Sequence, residues 1–153
     1  MILGDQALRE LLYSTPIVTG SPDIDASIQP ASIDLHFGES RCGMVLQPQT
    51  FTLASTVETI ALPIDFCAHV DGISSFGRRG VFVQNAGWID PGFEGQITLE
   101  LFNATKIPVF LRPGMRICQL VIERVEGCVS PYNGRYQHQT GPTLCRDPEI
   151  AKS

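Results

Sequence analysis

The sequence predicts an all-β fold, a sandwich or barrel of short strands, with one short helix at its N-terminus. Three observations point there. The apolar stretches are short and alternate with polar residues, as half-buried strands do. The 14 glycines and 11 prolines fall largely between those stretches, where turns are needed. Only the first dozen residues carry apolar side chains at helical spacing. Many short strands separated by turns argue for a sandwich or barrel over a parallel α/β sheet.

The helix comes first. Asp5 is placed to cap its first turn, and Leu8, Leu11 and Leu12 recur on one face. Candidate strands follow at Ser32–His36, Cys67–Val70, Val81–Gln84, Gln96–Phe102, Pro108–Leu111 and Ile117–Glu123. Turn signals separate them at Asp90-Pro91-Gly92, Arg112-Pro113-Gly114 and Asn133-Gly134. No internal repeat, low-complexity run or second domain is visible, so residues 1–153 read as one domain. The tail after Pro131 is rich in Tyr, Gln, Gly and Arg and reads as a mobile C-terminal arm (131–153).

Composition excludes several classes. Hydrophobic residues make up 43%, enough to build a core, and charged residues are a modest 18%. No apolar run approaches the roughly 18 residues of a membrane span. Met1–Leu12 carries Asp5, Arg9 and Glu10 within its apolar pattern, unlike a signal peptide, so the expected location is cytoplasmic. A formal net charge of −5 is unsuited to long nucleic acid, although a local arginine cluster could still hold one triphosphate. The five cysteines (Cys42, Cys67, Cys118, Cys128 and Cys145) form no C-x-x-C pair. They read as reduced thiols rather than a disulfide framework or a zinc site.

One strand carries a chemical detail. In Ile97-Thr98-Leu99-Glu100-Leu101 the apolar residues share one face; Thr98, Glu100 and then Phe102 share the other. A carboxylate in so apolar a strand either faces solvent or belongs to a site. Asp71-Gly72-Ile73-Ser74-Ser75-Phe76-Gly77-Arg78 offers backbone amides, two hydroxyls and a guanidinium fork, a phosphate-binding set that in isolation also suits a polar turn. Ala86-Gly87-Trp88-Ile89-Asp90-Pro91-Gly92-Phe93-Glu94-Gly95 reads as a tight hairpin with an acid at its turn, ten residues before Glu100.

Together with Gln29-Pro30-Ala31-Ser32-Ile33-Asp34-Leu35 and Arg135-Tyr136-Gln137-His138-Gln139-Thr140-Gly141-Pro142, these segments form an ordered set. In wording and order it resembles the dCTP deaminase–dUTPase family, from about the first residue to Arg146. The third segment looks most like members that both deaminate dCTP and hydrolyse dUTP. The resemblance implies a distorted β-barrel or jelly-roll of the dUTPase-like type, assembled as a homotrimer with active sites between subunits. It also implies dCTP and dUTP as ligands, with dTTP a candidate inhibitor.

The resemblance extends to single residues. Glu100 matches the catalytic glutamate, which takes a proton from water and passes it to the cytosine ring nitrogen as that water attacks C4. Such a role calls for a raised pKa, which partial burial could supply. Ser74 and Arg78 match the catalytic serine and arginine beside the reacting centre, where they bind phosphate and position the water; Ser75 assists with phosphate. Ala86 and the segment after it match the wall of the pyrimidine pocket. Asp90 matches the acid that contacts the sugar and, in diphosphatase members, orients the water that attacks phosphorus. Thr98 belongs to the same substrate-binding set. Tyr132, Arg135 and Gln139 match tail positions that close over the triphosphate.

The chain departs from the family pattern in places. Ile73 stands where a basic residue is usual and Arg135 where lysine is usual. The Gln84-Asn85 stretch is a residue shorter and lacks a histidine, and Gly38–Gln47 and Tyr132–Arg135 are short. Zinc deaminases carry H-x-E and P-C-x-x-C elements. None of His36, His69 and His138 is followed by x-Glu, so deamination is expected to need no metal at the base. No zinc is expected, and magnesium only as the partner of the triphosphate. Two alternatives remain: a dUTP/dCTP diphosphatase alone, or a non-catalytic nucleotide-binding regulatory protein on the same fold.

Overall fold

Residues 1–38, 43–83, 86–128 and 130–150 are described by the computed structural model. The expected shortening at Gln84-Asn85 and much of the 38–47 link lie outside these residues. The chain begins with α1 (Asp5–Ser14), β1 (Val18–Thr19), α2 (Ile24–Ser27), β2 (Ile28–Gln29), β3 (Ser32–His36), β4 (Met44–Leu46) and β5 (Phe51–Ala61). It continues with β6 (Phe66–Gly72), α3 (Ser74–Gly77), β7 (Val81–Val83), β8 (Trp88–Ile89), β9 (Glu94–Asn103), β10 (Val109–Leu111) and β11 (Arg116–Arg124). The strands form three antiparallel sheets in the orders β1-β5-β9-β7, β10-β4 and β2-β3-β11-β6-β8. This is the jelly-roll-like β architecture expected from the sequence, with its N-terminal helix.

The helix is amphipathic as predicted, with Leu8 fully buried and Leu11 and Leu12 packed against the core. Its cap differs. Gly4 takes the N-cap position in extended geometry and Asp5 is the first helical residue, where its charge favours the positive helix end. The helix is tied to the five-stranded sheet by backbone bonds from Asp5 N–H to the Pro30 carbonyl and from Leu3 N–H to the Ile122 carbonyl.

Each predicted strand has a counterpart, but β5, the longest, is absent from the sequence expectation. Its alternation is broken by a bulge between Ser55 and Thr59. Ala54, Ser55 and Thr56 are buried in succession, which hides the period of two. The Thr56 hydroxyl accepts from Ile97 N–H and donates to the Glu58 carbonyl, standing in for missing ladder bonds.

A second difference concerns the third segment. Trp88–Ile89 pairs with β6 in one sheet, whereas β9 pairs with β5 and β7 in another. Asp90-Pro91-Gly92 is therefore a crossing between sheets, not a hairpin turn. Gly92 has φ +82°, and a Cβ there would lie 2.5 Å from Pro131 Cβ, so the crossing and the tail pack too closely for a side chain.

The segment expected as a C-terminal arm lies against β9 as far as it is described. Gln139 is 7% exposed and pairs with Gly95 in a parallel bridge. Gln96 N–H donates to the Gln139 carbonyl, the Gln139 side-chain amide donates to the Gln96 carbonyl, and Gly141 N–H donates to the Gln96 side chain.

Candidate active site

The outward face of β9 forms one wall of a cavity of about 460 Å³. The alternation that buries Ile97, Leu99 and Leu101 turns Thr98 and Glu100 the other way, toward this cavity. β5 contributes Phe51 and Leu53, the latter directly opposite Glu100 in the ladder. The crossing segment contributes Ala86, Gly87, Trp88, Ile89 and Asp90, and the docked tail contributes Tyr132, Tyr136, Gln139, Thr143 and Cys145.

Six residues singled out from the sequence thus meet in one place: Glu100, Asp90, Thr98, Ala86, Tyr132 and Gln139. Thr98 anchors the tail over the site, its Oγ1 accepting from Thr143 N–H at 3.1 Å. The tail is fixed at its near end by Tyr132 N–H donating to the Pro91 carbonyl at 2.7 Å, with the Tyr132 ring tilted against Phe93.

Four others do not line the cavity. Ser74 and Ser75 open the one-turn helix α3 and are exposed, as is Arg78 at its C-terminal end. Arg135 is exposed and paired with Asp147 at 2.8 Å. The Glu149 backbone N–H, followed by the Arg135 guanidinium, holds the Asp147 carboxyl below its ordinary pKa.

The electrostatics of the cavity are one-sided. Among the described residues its lining includes two carboxylates, Asp90 and Glu100, and no lysine, arginine or histidine. The remainder is aromatic, aliphatic or uncharged polar, a lining suited to a neutral heterocycle and a sugar. A polyanion would need cations from elsewhere.

Several cavity residues were not assigned from the sequence. Trp88, whose indole N–H donates to Asp90 Oδ1 at 2.9 Å, lies in the 86–95 segment two positions from Asp90, a spacing that places both on one face of an extended chain. Tyr136 lies in the 135–142 segment, beside Arg135. Phe51 and Leu53 arrive through long-range pairing of β5 with β9 and carried no local signal.

The described cysteines are all free thiols. Burial pushes Cys67 and, far more strongly, Cys118 above the ordinary thiol pKa, whereas Cys145 is exposed at the cavity. Among the described residues no group of three or more His, Cys, Asp or Glu could hold a metal ion, and no helix is long and apolar enough to cross a membrane.

The dCTP deaminase-like family profile matches residues 36–125. The chain is 40% identical to a dUMP-forming dCTP deaminase of Sulfurihydrogenibium sp., over 95% of this chain and 97% of the relative. It is 41% identical to a protein of the same description from Persephonella marina, with the same coverage. Among solved structures, a 2'-deoxycytidine 5'-triphosphate deaminase from Agrobacterium tumefaciens superposes with a TM-score of 0.69 at 27% identity. That match covers 81% of this chain and 48% of the other, so the chain spans about half its length. The EIAV dUTPase shares the fold, with a TM-score of 0.59 at 23% identity over 77% of this chain and 96% of that one.

Proposed function

Since the chain belongs to the dCTP deaminase-like family, we propose that its cavity binds dCTP, deaminates it hydrolytically and carries the product on to dUMP. The observation that carries the reading is the convergence of Glu100, Asp90, Thr98 and Ala86 on one cavity closed by the tail. The dUMP-forming activity of the curated relatives favours both steps.

In the first step Glu100 accepts a proton from water and delivers it to N3 of cytosine. The water oxygen bonds to C4, its remaining proton passes by way of Glu100 to the amino group, the C4–N bond breaks, ammonia leaves and dUTP remains. The carboxylate ends the cycle in the ionisation state in which it began. Ala86 and its neighbours bound the base, and Asp90 receives the sugar. In the second step water attacks phosphorus, the bond to the bridging oxygen breaks, and dUMP and pyrophosphate form. Asp90 orients that water, and magnesium arrives with the triphosphate as part of the substrate.

The phosphates are the reason to invoke a second copy of the chain. A triphosphate beside two carboxylates and no cation is electrostatically unfavourable. Ser74, Ser75 and Arg78 are exposed on α3, available to a neighbouring subunit. Beyond Glu100 the outward face continues into Phe102, stacked on Phe82 with ring centres 6.5 Å apart and flanked across the ladder by Phe51. Phe82 and Phe51 are 58% and 54% exposed. An exposed aromatic patch beside a polar site marks an interaction surface. A homotrimer in which each cavity borrows Ser74, Ser75 and Arg78 from its neighbour satisfies both observations. Arg135, on the docked tail, exchanges Asp147 for a phosphate of the nucleotide.

The test is a product assay with dCTP and with dUTP, with and without magnesium. Ammonia, dUMP and pyrophosphate from dCTP are expected. Pyrophosphate without ammonia would reduce the protein to a diphosphatase, and no turnover would leave only binding. In the same assay, a mixture of Glu100→Gln and Arg78→Ala chains, each inactive alone, regains activity if sites are shared. A mixture that stays inactive after subunit exchange would confine the site to one chain.

A further inference from the structure

Trp88 has no role in the scheme above, yet it is the only tryptophan in the chain and lines the cavity. It occupies the two-residue strand β8, where alternation sends Ile89 into the core at 6% exposure and leaves Trp88 outward at 60%. The next residue on the Trp88 side is Asp90, because side chains two apart along an extended chain share a face. The indole Nε1–H donates to Asp90 Oδ1 at 2.9 Å. An indole N–H can only donate and a carboxylate can only accept, so the direction of this bond is fixed. No other described side chain or backbone N–H donates to the Asp90 carboxylate.

Both ends of the bond rest on ordered backbone. Trp88 is held opposite His69 in the ladder, and Val70 N–H donates to the Gly87 carbonyl beside it. After Asp90 the chain is pinned by Gly92 N–H donating to the Leu62 carbonyl. With the backbone set on both sides, the remaining freedom at Asp90 is the rotation of its exposed carboxylate. The indole is the group that restrains it.

We propose that Trp88 is a positioning residue: its indole N–H fixes the Asp90 carboxylate in the orientation that receives the 3'-hydroxyl of a bound pyrimidine deoxynucleotide. The inference rests on the deoxynucleotide reading of the cavity given above. A carboxylate already oriented loses little freedom when the sugar arrives, so the hydroxyl bond is realised in full. A ring that merely stacked on the base would act through its π face and be indifferent to the sugar hydroxyl. The two roles therefore differ in a measurable dependence on the ligand.

The experiment measures the affinity of the full-length protein for dCTP and for 2',3'-dideoxy-CTP by calorimetry without magnesium, in the Glu100→Gln background that slows turnover, with Trp88 retained and with Trp88→Phe. The phenylalanine keeps an aromatic ring and removes the donor. The expected result is a dCTP affinity weakened about tenfold, the scale of a hydrogen bond to a charged group, with the dideoxy affinity unchanged. Equal weakening for both ligands, or none for either, overturns the proposal. Asp90→Ala supplies an independent check should Trp88→Phe prove unstable: it must lose the same preference for the 3'-hydroxyl, and a variant that keeps the preference overturns the proposal as well. Failure of the protein that retains Trp88 to bind dCTP at all would remove the deoxynucleotide reading itself, and this inference with it.

Discussion

β5 and β9 run side by side, and each carries a glutamate within an apolar strand, yet the two carboxylates have opposite fates. Glu58 on β5 is fully buried. Its Oε2 accepts from the His36 backbone N–H at 2.9 Å, and its Oε1 pairs with His36 Nδ1 at 2.6 Å. On β3, the strand that carries His36, Asp34 accepts from Arg116 at 2.8 Å and from Gln29 at 3.0 Å. These carboxylates are occupied by the fold. They also reinforce, after burial itself, the upward push on the Cys118 thiol. Glu100 instead faces a cavity beside Thr98 and Asp90. The comparison teaches that a glutamate in an apolar strand is not by itself a sign of catalysis. A buried charge must be paired, and only one whose surroundings leave room for a ligand can act on it.

That contrast can be broken by substitution. The largest effect is expected from Glu100→Gln, which should lower deamination by about 10²–10⁴-fold, the usual weight of a general acid–base group. Its melting temperature and triphosphate affinity should stay close to those of the native protein. Ammonia release at the native rate would take Glu100 out of the mechanism.

Glu58→Ala should do the reverse. Removing one partner of a buried pair costs about 3–5 kcal/mol. In a domain of this size that lowers the melting temperature by roughly 10 °C, while turnover per folded molecule is unchanged. A calorimetric scan decides it: an unmoved midpoint would mean that the His36–Glu58 pair contributes nothing net.

The smallest effect sharpens the comparison from the side of the tail, which covers Glu100 and not Glu58. Truncation after Pro131 removes Tyr132, Gln139 and the backbone bonds along β9. The Michaelis constant for dCTP should rise about tenfold, equivalent to roughly 1.4 kcal/mol, with the melting temperature lowered by a few degrees at most. An unchanged Michaelis constant would show that the tail is no part of the nucleotide site.

Much of this site was legible along the chain. The alternation in Ile97-Thr98-Leu99-Glu100-Leu101 assigned inner and outer faces correctly, because a strand's period of two is local information. The turn at Arg112-Pro113-Gly114 was equally plain: Met115 N–H donates to the Arg112 carbonyl and Gly114 takes φ +74°, a type II geometry that proline and glycine favour in that order. The long strand β5 was not legible, since the bulge between Ser55 and Thr59 interrupts its alternation and the pattern no longer reads as one element. Nor was the Asp5 cap, since Gly4 served and the acid moved one place into the helix.

By itself, then, the sequence determined the strand periods, the turn chemistry and the family-like order of the four segments, all of which depend on neighbours along the chain. The tertiary structure alone decided which of those segments meet. It turned an expected hairpin at Asp90 into a crossing between sheets, brought Phe51 and Leu53 opposite the β9 wall, enclosed Glu58 with His36, and left Ser74 and Arg78 exposed outside the cavity lining. The physical reason is that register between strands distant in sequence is set by which apolar faces can be buried together, and no local pattern states which partner a face will find.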